Sequence, residues 1–292
     1  MIALLLSILS STVIFVVFKL FDRFKVHTLQ AIVVNYWVAC CCGILFYSKE
    51  VHLEMIAVTD WFPYAVGLGL LFIAIFNLMA ITAQRYGLSV VSVATKMSVV
   101  IPILFGLFYY KESLNLIKVF GIILALQAVY LVSVKKTVKT FKGFETIILP
   151  SLVFIGSGII DTSLKYLEDT YVDAASLSIF SATIFGAAGT MGFFLVIYLL
   201  LTRKTTFKWR NLIGGIALGV PNYFSVYFLI KALKSGVLES SGVFTVNNVA
   251  IVMLSTLIGI GFFTEKLSKK NWLGITLAVV SIVVITLAEF WS

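Results

Sequence analysis

YYKESLNLIKVFGIILA (residues 109–125) and FFTEKLSKKNWLGITLA (residues 262–278) are one pattern written twice. Glu112 and Leu114 fall on Glu265 and Leu267, and Gly121 falls on Gly274, at an offset of 153 residues. Upstream the match continues at a smaller offset. Arg85-Tyr86-Gly87 lies on Lys234-Ser235-Gly236 at 149, and Trp61 lies on Trp209. The change of offset implies about one extra helical turn in the second copy.

The copies are made of apolar segments. A helix that crosses a hydrocarbon layer about 30 Å thick needs roughly 20 apolar residues. Ten segments fit: 2–21, 28–48, 61–85, 88–110, 114–134, 146–166, 174–202, 211–233, 237–263 and 270–290. Only the fourth, with Lys96, and the sixth, with Asp161, carry a charge in the core. Small residues recur inside them, as in Gly215-x-x-x-Gly219, where they let helix backbones approach closely. Trp61, Trp209, Trp272 and Trp291 sit at segment ends, where indoles prefer the interface. The expected fold is an all-α polytopic membrane protein of ten transmembrane helices in two inverted five-helix repeats, residues 1–140 and 141–292.

Composition supports lipid as the solvent. Hydrophobic residues make up 61% of the 292, charged residues only 12%, and mean hydropathy is +1.08. An ordinary soluble domain carries roughly 25% charge. The net charge of +9 sits at the ends of apolar segments, which suits cytoplasmic loops rather than a nucleic-acid face. Cys40, Cys41 and Cys42 are consecutive. Side chains about 100° apart on a helix cannot converge on one metal. Residues 2–18 have no basic region before them, so they read as a retained first span rather than a cleaved signal.

An odd number of spans per copy inverts the second copy in the bilayer, and the charges agree. The loop after span one is basic (Arg23, Lys25), and its counterpart after span six is acidic (Glu168, Asp169, Asp173). The loop after span two is acidic (Glu50, Glu54, Asp60), and its counterpart after span seven is basic (Arg203, Lys204, Lys208, Arg210). Of the 22 Lys and Arg residues, 15 lie after the odd-numbered spans and 6 after the even-numbered ones, Lys96 being the other. The positive-inside rule then puts both termini outside the cytoplasm. Inverted repeats mark secondary transporters, with the binding site near the midplane where the repeats meet.

With these features the chain resembles the EamA-type branch of the drug/metabolite transporter superfamily over its whole length. Lys111-Glu112-Ser113-Leu114 and Thr264-Glu265-Lys266-Leu267 look like that family's Gly-Glu-x-Leu turns, and Pro102 is similar to its proline in span four. The chain departs from the pattern in span nine, where Asn247-Asn248 stands in place of a proline, and in span four, through Lys96. The resemblance implies alternating access in a bacterial cytoplasmic membrane, with export of an amino acid or related small polar metabolite. Efflux of lipophilic drugs is the rival within transport. A non-transporting membrane protein and an intramembrane enzyme are more distant rivals.

The candidate site residues are few. A charge at mid-membrane costs about 2.5–3.5 kcal/mol, so Lys96 is expected to face a polar interior and to contact an anionic substrate group, or else to form a structural ion pair. Asp161 has three readings: a proton-coupling group, a partner of Lys96, or a local pair with Lys165 one turn later. Asn35, Asn77, Asn222, Asn247 and Asn248 could bind a zwitterionic or hydroxylated ligand, or join helices. Asn247-Asn248 is expected at the level of Lys96. Pro102 and Pro221 are candidate gating kinks. Both histidines, His27 and His52, fall in loops. There is no HExxH, no phosphate-binding loop and no nucleophile elbow, so neither metal, cofactor, catalysis nor ATP drive is expected.

Overall fold

A computed structural model describes residues 1–47, 53–86, 94–112, 115–133, 145–263 and 268–290. Glu50, His52, Gly87, Ser113, Leu114, Thr264, Glu265, Lys266, Leu267, Trp291 and the repeat boundary at 140 lie outside them. The described residues form helices and connections, with no strand among them. Lipid offers the backbone no hydrogen bonds, so each segment satisfies its own peptide groups as a helix.

The principal helices are α1 (Ile2–Phe24), α2 (Thr28–Leu45), α3 (Phe62–Tyr86), α4 (Val100–Tyr109), α5 (Leu116–Ser133), α6 (Glu145–Tyr171), α7 (Leu177–Leu201), α8 (Trp209–Lys234), α9 (Ser240–Phe263) and α10 (Lys269–Phe290). A short helix, Leu53–Ala57, precedes α3, and a 3-10 turn, Ala174–Ser176, precedes α7. Eight of the ten are long and apolar enough to cross a membrane. The apolar stretches Ala94–Tyr109 and Leu116–Leu131 are shorter. The protein is therefore an integral membrane protein of about ten helices.

Three pairs of helices, five places apart in order, run antiparallel. Ser178, at the start of α7, donates to the Phe46 carbonyl just past the end of α2 at 3.4 Å. Glu112, just past the end of α4, accepts from Ser240 and Ser241 at the start of α9. Asn115, just before α5, donates to Ala288 O near the end of α10, while Asn271, at the start of α10, donates to Leu131 O near the end of α5. The packing follows the same five-place shift. α2 packs on α8 as α7 packs on α3, and α1 packs on α9 as α6 packs on α4.

Small residues set the closest approaches. A Cβ on Gly215 would lie 2.7 Å from Ala31 O, and one on Gly219 2.8 Å from Asn35 O, so α8 rests directly on the α2 backbone. Trp61 departs from the interfacial expectation. It is buried against Phe180, ring centroids 5.6 Å apart, because the turn before α3 directs it toward α7. Trp209 and Trp272 are exposed as expected.

Apolar side chains gather in two main cores. One joins α2, α3 and α7 with parts of α6 and α8, around Tyr36, Phe72, Phe180 and Phe185. The other joins α1, α4, α5, α9 and α10, around Ile103, Val129, Phe244 and Ile285. Each core therefore draws helices from both halves of the sequence.

Candidate functional site

The site begins with a break in the fourth span. Pro102 has no N–H to donate to the Ser98 carbonyl one turn back. That carbonyl instead accepts from Ile101 at 2.9 Å, and Ser98-Val99 forms a turn between the helical residues 94–97 and α4. Lys96 sits in the helical turn before the break. Pro221, the other candidate kink, lies inside α8, which continues as helix from Trp209 to Lys234.

Lys96 is buried, 8% exposed, and its ammonium donates to Asn248 Oδ1 on α9 at 3.0 Å. It also lies 5.3 Å from the centroid of the Phe15 ring on α1. Asp161 on α6 and Lys96 act on each other electrostatically without forming a contact ion pair. The local pairing of Asp161 with Lys165 is not what forms. Lys165 turns away to Glu168 at 3.4 Å and Asp169 at 3.7 Å, because those carboxylates stand three and four residues further along the same face. Asp161 is thus left facing the interior.

The second amide of the pair is held from α1. Ser7 Oγ bridges Asn247 Oδ1 at 3.2 Å and Ser225 O at 2.9 Å, and Ser225 Oγ donates to Asn222 O at 2.9 Å. Lys96, Asn247, Asn248 and Asp161 thus belong to one polar region among α1, the fourth span, α6 and α9, and Asn222 meets it only through its backbone carbonyl, which accepts from Ser225. Asn77 and Asn35 do not join it by hydrogen bonding. Asn77 Nδ2 donates to Ile73 O on its own helix at 2.8 Å, and Asn35 Nδ2 to Ile32 O at 3.3 Å. Among the described residues, Asn35 Oδ1, Tyr36 Oη and Thr95 Oγ1 are buried without a hydrogen-bond partner. Thr95 precedes Lys96 in the same helical turn.

Sequence reasoning did not single out Ser7 or Phe15. A serine and a phenylalanine in an apolar helix carry no signal of their own. It also missed what Glu112 does. The carboxylate caps the first turn of α9, accepting from Ser240 N at 3.0 Å, Ser241 N at 3.1 Å and the Ser240 hydroxyl. Gly106 makes the room, since a Cβ there would lie 2.9 Å from the carboxyl group. The spacing Gly106…Glu112 recurs as Gly259…Glu265, a signal that was available. Beside the cap, Lys118 on α5 is salt-bridged to Glu239.

The two ends of the molecule differ. Where α3 begins and α4 and α6 end, a cavity of about 460 Å³ is lined by Tyr64, Leu68, Phe105, Tyr109, Thr162 and Tyr166. It reaches the residues that directly follow Asp161. At the opposite end, amides tie the α1–α2 turn to the α7–α8 loop. Asn211 accepts from His27 N at 2.9 Å and donates to Gln30 Oε1 at 2.6 Å, and Gln30 donates to Thr205 Oγ1 at 2.9 Å and Thr206 O at 3.1 Å. Among the described residues no group of three or more His, Cys, Asp or Glu side chains could hold a metal.

Comparison with known proteins agrees with this architecture. Residues 1–134 match the model of the EamA-like transporter family. An uncharacterized protein of Haemophilus influenzae is 30% identical over 289 residues, covering 96% of this chain and 95% of its own. A solved crystal structure superposes with a TM-score of 0.78 at 13% identity, covering 99% of this chain and 98% of its own, and so shares the fold. The chain belongs to the EamA-like transporter family of membrane transporters.

Proposed function

We propose that the protein is a secondary transporter of a small polar metabolite that carries an anionic group, an amino acid or related solute. The solute is exported across a bacterial cytoplasmic membrane by alternating access. Lys96 is the substrate contact, and the observation that carries the reading is its setting. A buried ammonium with one neutral amide as its hydrogen-bond partner among the described residues has donors left for a carboxylate. The Asn247–Asn248 pair supplies further polar contacts. Asp161, without a contact ion pair, is the proton-coupling group. The antiparallel pairs five helices apart support two inverted halves, 1–140 and 141–292, meeting at this site. The reading includes no catalytic activity, no cofactor and no nucleic-acid partner.

A test is substrate flux in proteoliposomes with wild type and Lys96→Met. Uptake of an anionic or zwitterionic solute that depends on the protein and on Lys96 is the expected result. The tyrosine-lined cavity favours a second reading, efflux of lipophilic compounds. That reading predicts flux of lipophilic cations that is insensitive to Lys96→Met.

A further inference from the structure

We propose that the face where α1 and α7 end holds the headgroup of an anionic phospholipid between Lys25, His27 and Lys208. A cavity of about 300 Å³ lies there, lined by these three side chains together with Thr205, Thr206 and Asn211. It sits where the α1–α2 turn meets the α7–α8 loop, so each half of the chain contributes one lysine.

The polar floor is already satisfied. The amides of Gln30 and Asn211 bond to each other, to His27 N and to the Thr205–Thr206 segment. The lysines are not. Among the described residues neither Lys25 nor Lys208 has an ion-pair partner. Two cations drawn to one cavity repel, and an anion between them removes the repulsion. His27 and Lys208 precede α2 and α8 without a side-chain cap, so the positive ends of two helix dipoles add to the same field.

Lys25 carries a second mark. Its φ is 51°, the left-handed conformation that ends a helix, and Val26 N–H closes the turn on Phe21 O at 2.9 Å. Glycine is the usual residue there, because an L side chain is strained. Keeping a lysine at that position retains a charge at the cavity mouth at the expense of the turn. A lipid, rather than free phosphate, is indicated by the surroundings. Phe207 and Trp209 are exposed beside Lys208 with ring centroids 5.8 Å apart, an aromatic pair of the kind that prefers a membrane interface. The face is also the basic one, and basic pockets of this kind meet the anionic lipids of the cytoplasmic leaflet.

The test is thermal unfolding of the purified full-length protein in neutral detergent. Phosphatidylglycerol, phosphatidylcholine or inorganic phosphate is added in turn. Phosphatidylglycerol is expected to raise the midpoint by several degrees, and the other two to leave it in place. Lys25→Gln with Lys208→Gln should abolish the shift. Lys25→Gly should abolish most of it while unfolding no earlier than wild type without lipid, since glycine relieves the turn. An equal shift from phosphatidylcholine, or a phosphatidylglycerol shift that survives the double substitution, overturns the site. A shift reproduced by inorganic phosphate alone overturns the lipid assignment. None of these readouts depends on transport.

Discussion

The Lys96 ammonium and the Asn248 carboxamide oxygen, 152 residues apart in the chain, meet at 3.0 Å and join the helical turn before α4 to α9. The contact places a positive charge beside a group that cannot neutralise it. A substrate carboxylate can.

Lys96→Met should insert and fold at wild-type yield, because it removes a charge that costs about 2.5–3.5 kcal/mol at mid-membrane. Hydrogen bonds to charged groups contribute about 1.5–3 kcal/mol. The substrate concentration for half-maximal flux should therefore rise roughly tenfold to a hundredfold. Asn248→Ala should weaken transport less, since it removes only the positioning of the ammonium. Concentration-dependent uptake in proteoliposomes measures both. Wild-type kinetics in a well-expressed Lys96→Met protein would return the lysine to a structural role.

Asp161→Asn mimics the protonated carboxyl. Accumulation driven by a pH gradient should disappear while exchange of labelled for unlabelled substrate persists. Lys165 pairs with Glu168 and Asp169 instead of Asp161, so the substitution should not lower expression. Paired uptake and exchange assays decide it, and retained pH-driven accumulation removes Asp161 from coupling.

Glu112→Ala strips the first turn of α9 of its cap and should cost about 1–2 kcal/mol. Gly106→Ala should do nearly the same by displacing the carboxylate. The double substitution should then be little worse than either alone, because both act on one contact. Unfolding midpoints in detergent give the comparison. Additive losses would mean that Gly106 serves some other packing need.

The charge distribution predicts that Ser292 and Met1 lie outside the cytoplasm. A reporter that is active only in the cytoplasm, fused to Ser292, should stay silent, and one inserted in the basic stretch 135–142 should be active. The reverse pattern would show that some other determinant outweighs the lysines and arginines.

Much of this was legible in the sequence. Hydropathy located the ten segments, because a helix in lipid must be apolar along its length. The repeat predicted that Asn247-Asn248 would lie at the level of Lys96, and α9 brings Asn248 to it. The amides were harder to sort. Asn35 and Asn77 look like Asn248 in composition, but whether an amide turns only to its own backbone or also to a neighbouring helix depends on rotation about the helix axis. One of the three readings of Asp161, the local pair with Lys165, fails for a related reason. Residues one turn apart share a face, yet Glu168 and Asp169 compete for the same ammonium from the other side. Ser7 could not be seen at all. Its partners, Ser225 and Asn247, are set by a crossing of three helices that no local pattern records.

Because both apolar cores draw on helices from the two halves of the sequence, assembly has to wait. Helix α1 packs chiefly on α8 and α9, and Ser7 meets Ser225 only after 218 further residues have been made. At roughly 5–20 residues per second, that is on the order of ten seconds or more of synthesis. Throughout its own interval Lys96 stands in the bilayer or the insertion machinery with Asn248 still unmade. A chain arrested after α5 would hold that ammonium without the amide that receives it in the complete fold.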